Sequence, residues 1–161
     1  RLVGAAKVIV VQRSRPRLEM ARRFNADVYI CSAEEDSVAR VLEETGGLGA
    51  DVILTACPSP QAQIDAIAMA RNRARVNFFG GLPKGQSNVT LDTNIIHYKE
   101  LFVMGAHGCV PRHHRQAVGL IASGTFKMGQ YISHTFPLDR IEEAFAAAES
   151  HAGMRVVVHG S

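Results

Sequence analysis

Short apolar runs recur along the chain, each followed by a polar break and a stretch of helical period. Residues 7–11 and 26–31 read as strands, and the segment between them, 15–24, as a helix. Ser14 is placed to cap that helix, Pro16 suits its first turn, and Asn25 stands where a helix commonly stops in a left-handed residue. Residues 1–6 read as the tail of an earlier helix. The rhythm continues with a helix over 37–45 ended by Gly46 and Gly47, a strand over 50–56, a helix over 61–73 and a strand over 75–79 closed by Gly80 and Gly81. After a polar loop at 83–88 come a short helix at 92–100, a strand at 101–105 and a helix from Pro111 that stops at Gly124. An extended run at 131–136, a helix at 138–150 and a strand at 155–159 complete the chain.

Strands separated by helices at this spacing pair in parallel. Continuous Val and Ile runs, without strict alternation, imply strands covered on both faces, so the expected class is α/β with a doubly wound parallel sheet. Such a sheet binds ligands outside the carboxyl ends of its strands. The segments at 12–15, 55–59, 79–82 and 106–109 are therefore where chemistry is expected.

Composition narrows the choice of ligand. At 161 residues the chain fits one domain of ordinary size, and its longest apolar runs fall far short of the ~20 residues of a membrane-spanning helix. The first residue is Arg and no secretory leader follows, which suggests a chain entered partway through a domain. Cys31, Cys57 and Cys109 are odd in number and form no C-x-x-C pair, which speaks against a disulfide framework and a structural zinc site and for a reducing, cytoplasmic setting. Seven of the eighteen Lys and Arg fall in the first 24 residues against one acid, so the basicity is local. Only Phe24 supplies an aromatic there, so phosphate on a small ligand is a better match than a nucleic-acid backbone.

The order of motifs resembles the cofactor domain of the zinc-type medium-chain alcohol and polyol dehydrogenases, the branch that includes sorbitol and threonine dehydrogenases. The resemblance covers essentially the whole chain. It is carried by Lys7-Val8-Ile9-Val10-Val11 with the segment from Arg17 to Asp27, by Gly49-Ala50-Asp51-Val52-Ile53, and by Arg75-Val76-Asn77-Phe78-Phe79-Gly80-Gly81. Ile96-His97-Tyr98-Lys99-Glu100-Leu101, Gly105-Ala106-His107-Gly108 and Phe136-Pro137-Leu138 leading into Ile141-Glu142-Glu143-Ala144-Phe145 complete it. It implies a Rossmann-type cofactor domain over residues 1–136, lacking its first strand and glycine-rich loop, with 137–161 returning toward a catalytic domain outside these residues. It also implies NADP or NAD as cofactor, a secondary alcohol or polyol as substrate, and zinc held only by that other domain. A homo-oligomer joined through the strand at 101–105 is expected.

The resemblance gives the strand ends their roles. Gln12 stands where NAD-preferring members carry an acid that holds the ribose hydroxyls; a neutral amide followed by Arg13, Ser14 and Arg15 favours the 2′-phosphate of NADP. Thr55 and Ala56 flank the adenosine, while Phe79, Gly80, Gly81, Gly105, Ala106 and His107 line the nicotinamide half, where glycine lets the main chain approach a flat ring. Arg155 matches a position where some relatives place a base on the pyrophosphate. Each also has an ordinary reading as a turn glycine or solvated arginine. No catalytic or metal-ligating residue is assigned: Cys57 lacks an identifiable base, and the adjacent His113 and His114 point about 100° apart on a helix. A zinc-free quinone or enone reductase, a methyltransferase on a related sheet and a non-catalytic nucleotide-binding module remain open.

Overall fold

A computed structural model describes residues 2, 4–150 and 153–160, which form two compact units, Arg1–Gly108 and Cys109–Ser161. The helix tail expected over 1–6 lies partly outside the described residues. In the first unit the order is β1 (Ile9–Gln12), α1 (Arg15–Ala21), β2 (Val28–Cys31), α2 (Ser37–Glu44), β3 (Ala50–Leu54), α3 (Pro60–Ala68), β4 (Ala70–Phe78), α4 (Thr93–Tyr98) and β5 (Phe102–Gly105). All pairings are parallel: β1 with β2, and β3, β4 and β5 in that order. This is the mixed α/β, parallel-sheet fold expected of a Rossmann-type domain.

Alternation along the strands decides which face each helix covers. On β2, Val28 and Ile30 share a core with Val41 of α2, Met69 at the end of α3, and Ile9, Ala50 and Ile53 of β1 and β3, so one cluster joins both sheets. Tyr29 and Cys31 point the other way, toward α1, whose Leu18 and Ala21 are buried. On the second sheet Ala74, Val76 and Phe78 pack with Ile53, Ala66 and Ile67 beneath α3 and with Ile95, Ile96 and Leu101 from around α4. The opposite face, with rows Val52–Arg75–Phe102 and Leu54–Asn77–Met104, is open: Val52 is 60% and Leu54 65% exposed.

Several boundaries differ from expectation for identifiable reasons. Helix α1 ends at Ala21, and Asn25 is not left-handed; among the described non-glycine residues only Arg73 and Glu100 are. The Tyr29 hydroxyl accepts from the Ala26 N–H at 3.0 Å and donates to the Phe24 carbonyl at 3.3 Å, which satisfies the end of the turn without a left-handed residue. Helix α3 stops at Ala68, not at residue 73, because Ala70 already pairs with Ala50 and the Ala50 N–H donates to the Met69 carbonyl at 2.9 Å. Lys99 closes that junction, its ammonium donating to the Ala70 carbonyl at 2.7 Å and the Ala68 carbonyl at 3.3 Å. Residues 71–73, polar enough to pass for a helix surface, form the exposed, bulged entry to β4.

The second unit holds α5 (Pro111–Ala122), β6 (Ile132–Pro137), α6 (Ile141–Glu149) and β7 (Arg155–His159). A 3-10 turn, Leu138–Arg140, takes the first residues of the helix expected from 138. Strands β6 and β7 pair in parallel with α6 packed on both. The Ser133 hydroxyl ties them, donating to the Arg155 carbonyl at 2.9 Å and accepting from the Met154 N–H at 3.0 Å.

Candidate functional site

At the carboxyl ends of β1 and β2 two turns leave side by side, because Gln12 and Cys31 are register partners. Ser14 occupies the N-cap position of α1 in extended backbone, yet its hydroxyl makes no capping bond. Pro16 explains part of this: one of the two N–H groups a cap usually serves belongs to the second helical residue, and proline has none. Arg13 is exposed and its guanidinium has no partner among the described residues. Arg15 is engaged, its Nε donating to Glu34 Oε1 at 3.1 Å while a second nitrogen contacts Glu34 Oε2. Glu34 sits in the turn after β2, its own N–H bonded to the Cys31 carbonyl at 2.9 Å.

A second group forms where β3, β4 and β5 end. Thr55 is buried, its N–H donating to the Asn77 carbonyl at 3.0 Å, and the Gly80 N–H donates to the Thr55 carbonyl at 2.7 Å. The parallel ladder therefore runs past the ends of both strands. A Cβ on Gly80 would lie 2.8 Å from the backbone nitrogen and oxygen of Cys57, so the glycine is required by its contact with a neighbouring main chain. Phe79 is 64% exposed beside this seam, and Ala56 is exposed. Gly105 is the register partner of Phe78, which sets Ala106 and His107 next to residues 79–82 on one edge. A Cβ on Gly81 or Gly105 would meet open space, so a flat ring has access to the main chain there.

The first unit thus gathers Gln12, Arg13, Ser14 and Arg15 at one strand-end corner and Thr55, Ala56, Phe79, Gly80, Gly81, Gly105, Ala106 and His107 at another. Arg155 belongs to the second unit, where it opens β7 opposite Ile132. Two features escaped sequence reasoning: the Arg15–Glu34 pair, and Asn77 Oδ1, a buried side-chain oxygen with no hydrogen-bond partner among the described residues. Nothing in a linear pattern announces a side chain crossing between two turns. In the second unit His114 Nε2 lies 3.0 Å from Cys109 Sγ. Among the described residues no group of three or more His, Cys, Asp or Glu could hold a metal ion, and no helix is long and apolar enough to cross a membrane.

Comparison with known proteins agrees with this geometry. Residues 1–123 match a family model described as "Zinc-binding dehydrogenase". The chain is 34% identical over 143 residues to L-threonine 3-dehydrogenase of Bacillus licheniformis, a match covering 88% of the chain and 41% of that protein. Among solved structures it is similar to an alcohol dehydrogenase zinc-binding domain protein from Burkholderia ambifaria (TM-score 0.87, 26% identity, 98% of this chain and 43% of that one). The fold is shared with a zinc-binding dehydrogenase from Sinorhizobium meliloti solved bound to NADP (TM-score 0.87, 24% identity, 98% and 46% covered). The chain spans less than half the length of each of these proteins.

Proposed function

The chain belongs to the zinc-binding dehydrogenase family, its fold is the Rossmann-type NAD(P)-binding domain of those oxidoreductases, and from that premise we propose that its strand-end corners bind NADP in preference to NAD. The protein then serves hydride transfer between the nicotinamide and a secondary alcohol or polyol or its ketone. Gln12, Arg13 and Ser14 hold the adenosine ribose and its 2′-phosphate, and Arg15 borders that turn paired with Glu34. Thr55 and Ala56 lie against the adenosine, and Phe79, Gly80, Gly81, Gly105, Ala106 and His107 carry the nicotinamide half. Residues 1–136 serve the cofactor and 137–161 return toward a substrate-binding region.

The observation that carries the NADP reading is the pairing of a guanidinium without a partner among the described residues, at Arg13, with a hydroxyl that makes no capping bond, at Ser14, beside a neutral Gln12. A phosphate takes charge-assisted bonds from the first and an ordinary one from the second. When bound, the dinucleotide supplies the hydride acceptor; the chain's own residues orient its two ends. The described residues do not fit a zinc site. In the intact protein Arg13→Ala is expected to raise the KM for NADP about tenfold, as loss of a charged hydrogen bond does, and to leave that for NAD within about twofold. An equal change for both cofactors overturns the assignment.

Strand β5 is the edge of its sheet, and Phe102, Val103 and Met104 are exposed along it. A bare, apolar edge is a template for pairing with another strand. We assign it to contact between copies of the protein. Val103→Lys is expected to lower the molar mass measured by light scattering; a monomeric parent protein disposes of the assignment.

A further inference from the structure

We infer that Glu34 sets the balance between NADP and NAD by holding Arg15 out of the phosphate site. The inference rests on the assignment of the β1–α1 turn to the adenosine end. Three acids follow β2, and two are committed elsewhere. Asp36 accepts the Val38 and Ala39 N–H groups at 2.9 and 3.1 Å as the cap of α2. Glu35 accepts the Cys31 N–H at 3.2 Å and pairs with Arg40 at 3.2 Å. Only Glu34 reaches across to the neighbouring turn, where it meets Arg15 through both carboxylate oxygens. Glu19, on α1, pairs with Arg22 at 3.1 Å and leaves Arg15 to Glu34.

A two-point guanidinium–carboxylate pair uses the donors a phosphate would otherwise take. Of the two arginines flanking Ser14, one is therefore spoken for and the other is not. The carboxylate also stays in place when the ligand arrives. A 2′-phosphate bound by Arg13 and Ser14 sits near a negative charge that repels it, while a bare ribose does not feel that charge. Glu34 thus weakens NADP selectively, and the residue lies on a different strand end from the arginines whose effect it limits.

The test measures binding of two probes, adenosine 2′,5′-bisphosphate and adenosine 5′-monophosphate, to the intact protein by titration calorimetry, with steady-state NADP and NAD kinetics alongside. In Glu34→Gln, affinity for the bisphosphate rises about fivefold, the upper range for an exposed ion pair, and that for the monophosphate stays within twofold. The kcat/KM ratio of NADP to NAD moves by the same factor. In the Arg15→Ala background the Glu34→Gln gain shrinks to that of removing the repulsion alone, so the two changes are non-additive. Unchanged bisphosphate affinity in Glu34→Gln overturns the inference. So does a loss of monophosphate affinity, because Glu34 would then be holding ribose hydroxyls itself. Failure of the parent protein to bind either probe sinks the assignment of the turn, which is a separate result. Glu34→Gln keeps the size of an exposed side chain, so its melting temperature serves as the control for folding.

Discussion

Gly49→Ala is expected to cost about 2–4 kcal/mol of stability, the sum of a left-handed backbone forced on a residue with a side chain and a collision with main-chain atoms. Gly49 has φ +88°, and a Cβ there would stand 2.6 Å from the Met69 carbonyl oxygen and 2.8 Å from the Arg71 nitrogen. Neither atom can swing away as a side chain would. Both belong to the junction where α3 ends and β4 begins, and that junction is pinned by the Ala50 N–H to Met69 bond and by Lys99. Relief would pull β3 from β4 at their first register pair and loosen the core that Met69 shares with Ile30 and Val41. For a chain of this size the melting temperature falls by about 10 °C. A shift under about 2 °C, measured by circular dichroism, shows that the junction yields and that the close approach is not required.

Gly80→Ala is expected to act on binding more than on folding. Its Cβ would press on the Cys57 backbone at 2.8 Å from outside the buried core, in an exposed seam between two loops. The cheapest response is separation of the loops, which breaks the 2.7 Å bond from the Gly80 N–H to the Thr55 carbonyl. Dinucleotide affinity in the intact protein should fall about tenfold, equivalent to about 1.4 kcal/mol. Fluorescence titration with the reduced dinucleotide measures it. Cys57→Ala is the control, since the collision involves the main chain of Cys57 and not its thiol. Affinity equal to the parent in Gly80→Ala removes Gly80 from the site.

The strands and helices were legible where apolar period and punctuation agree. The helix at Pro111–Ala122 and the strand at Arg155–His159 have the limits read from sequence, since proline opens the first and short apolar identity defines the second. Legibility failed where a distant partner decides. Residues 69–73 look helical until Ala50 and Lys99 are known to claim them, and Asn25 looks like a left-handed stop until the Tyr29 hydroxyl is in place. The candidate site divides the same way. That Gln12 to Arg15 leave a strand end together follows from local order. That Arg15 is paired depends on Glu34, nineteen residues beyond it and one strand over. Gly80 reads as a turn glycine in sequence, whereas the structure makes it the point where two main chains touch.

The ladder that continues from Thr55 to Gly80 beyond the last residues of β3 and β4 also bears on the thermodynamics of occupancy. A binding surface made of free loops must surrender conformational entropy when a ligand orders it, at about 1–2 kcal/mol for each backbone residue fixed. Here that entropy is already lost when the domain folds, because Thr55, Asn77 and Gly80 are joined by the same hydrogen bonds that make the sheet. Contact made at this floor therefore loses little of its affinity to the ordering of loops.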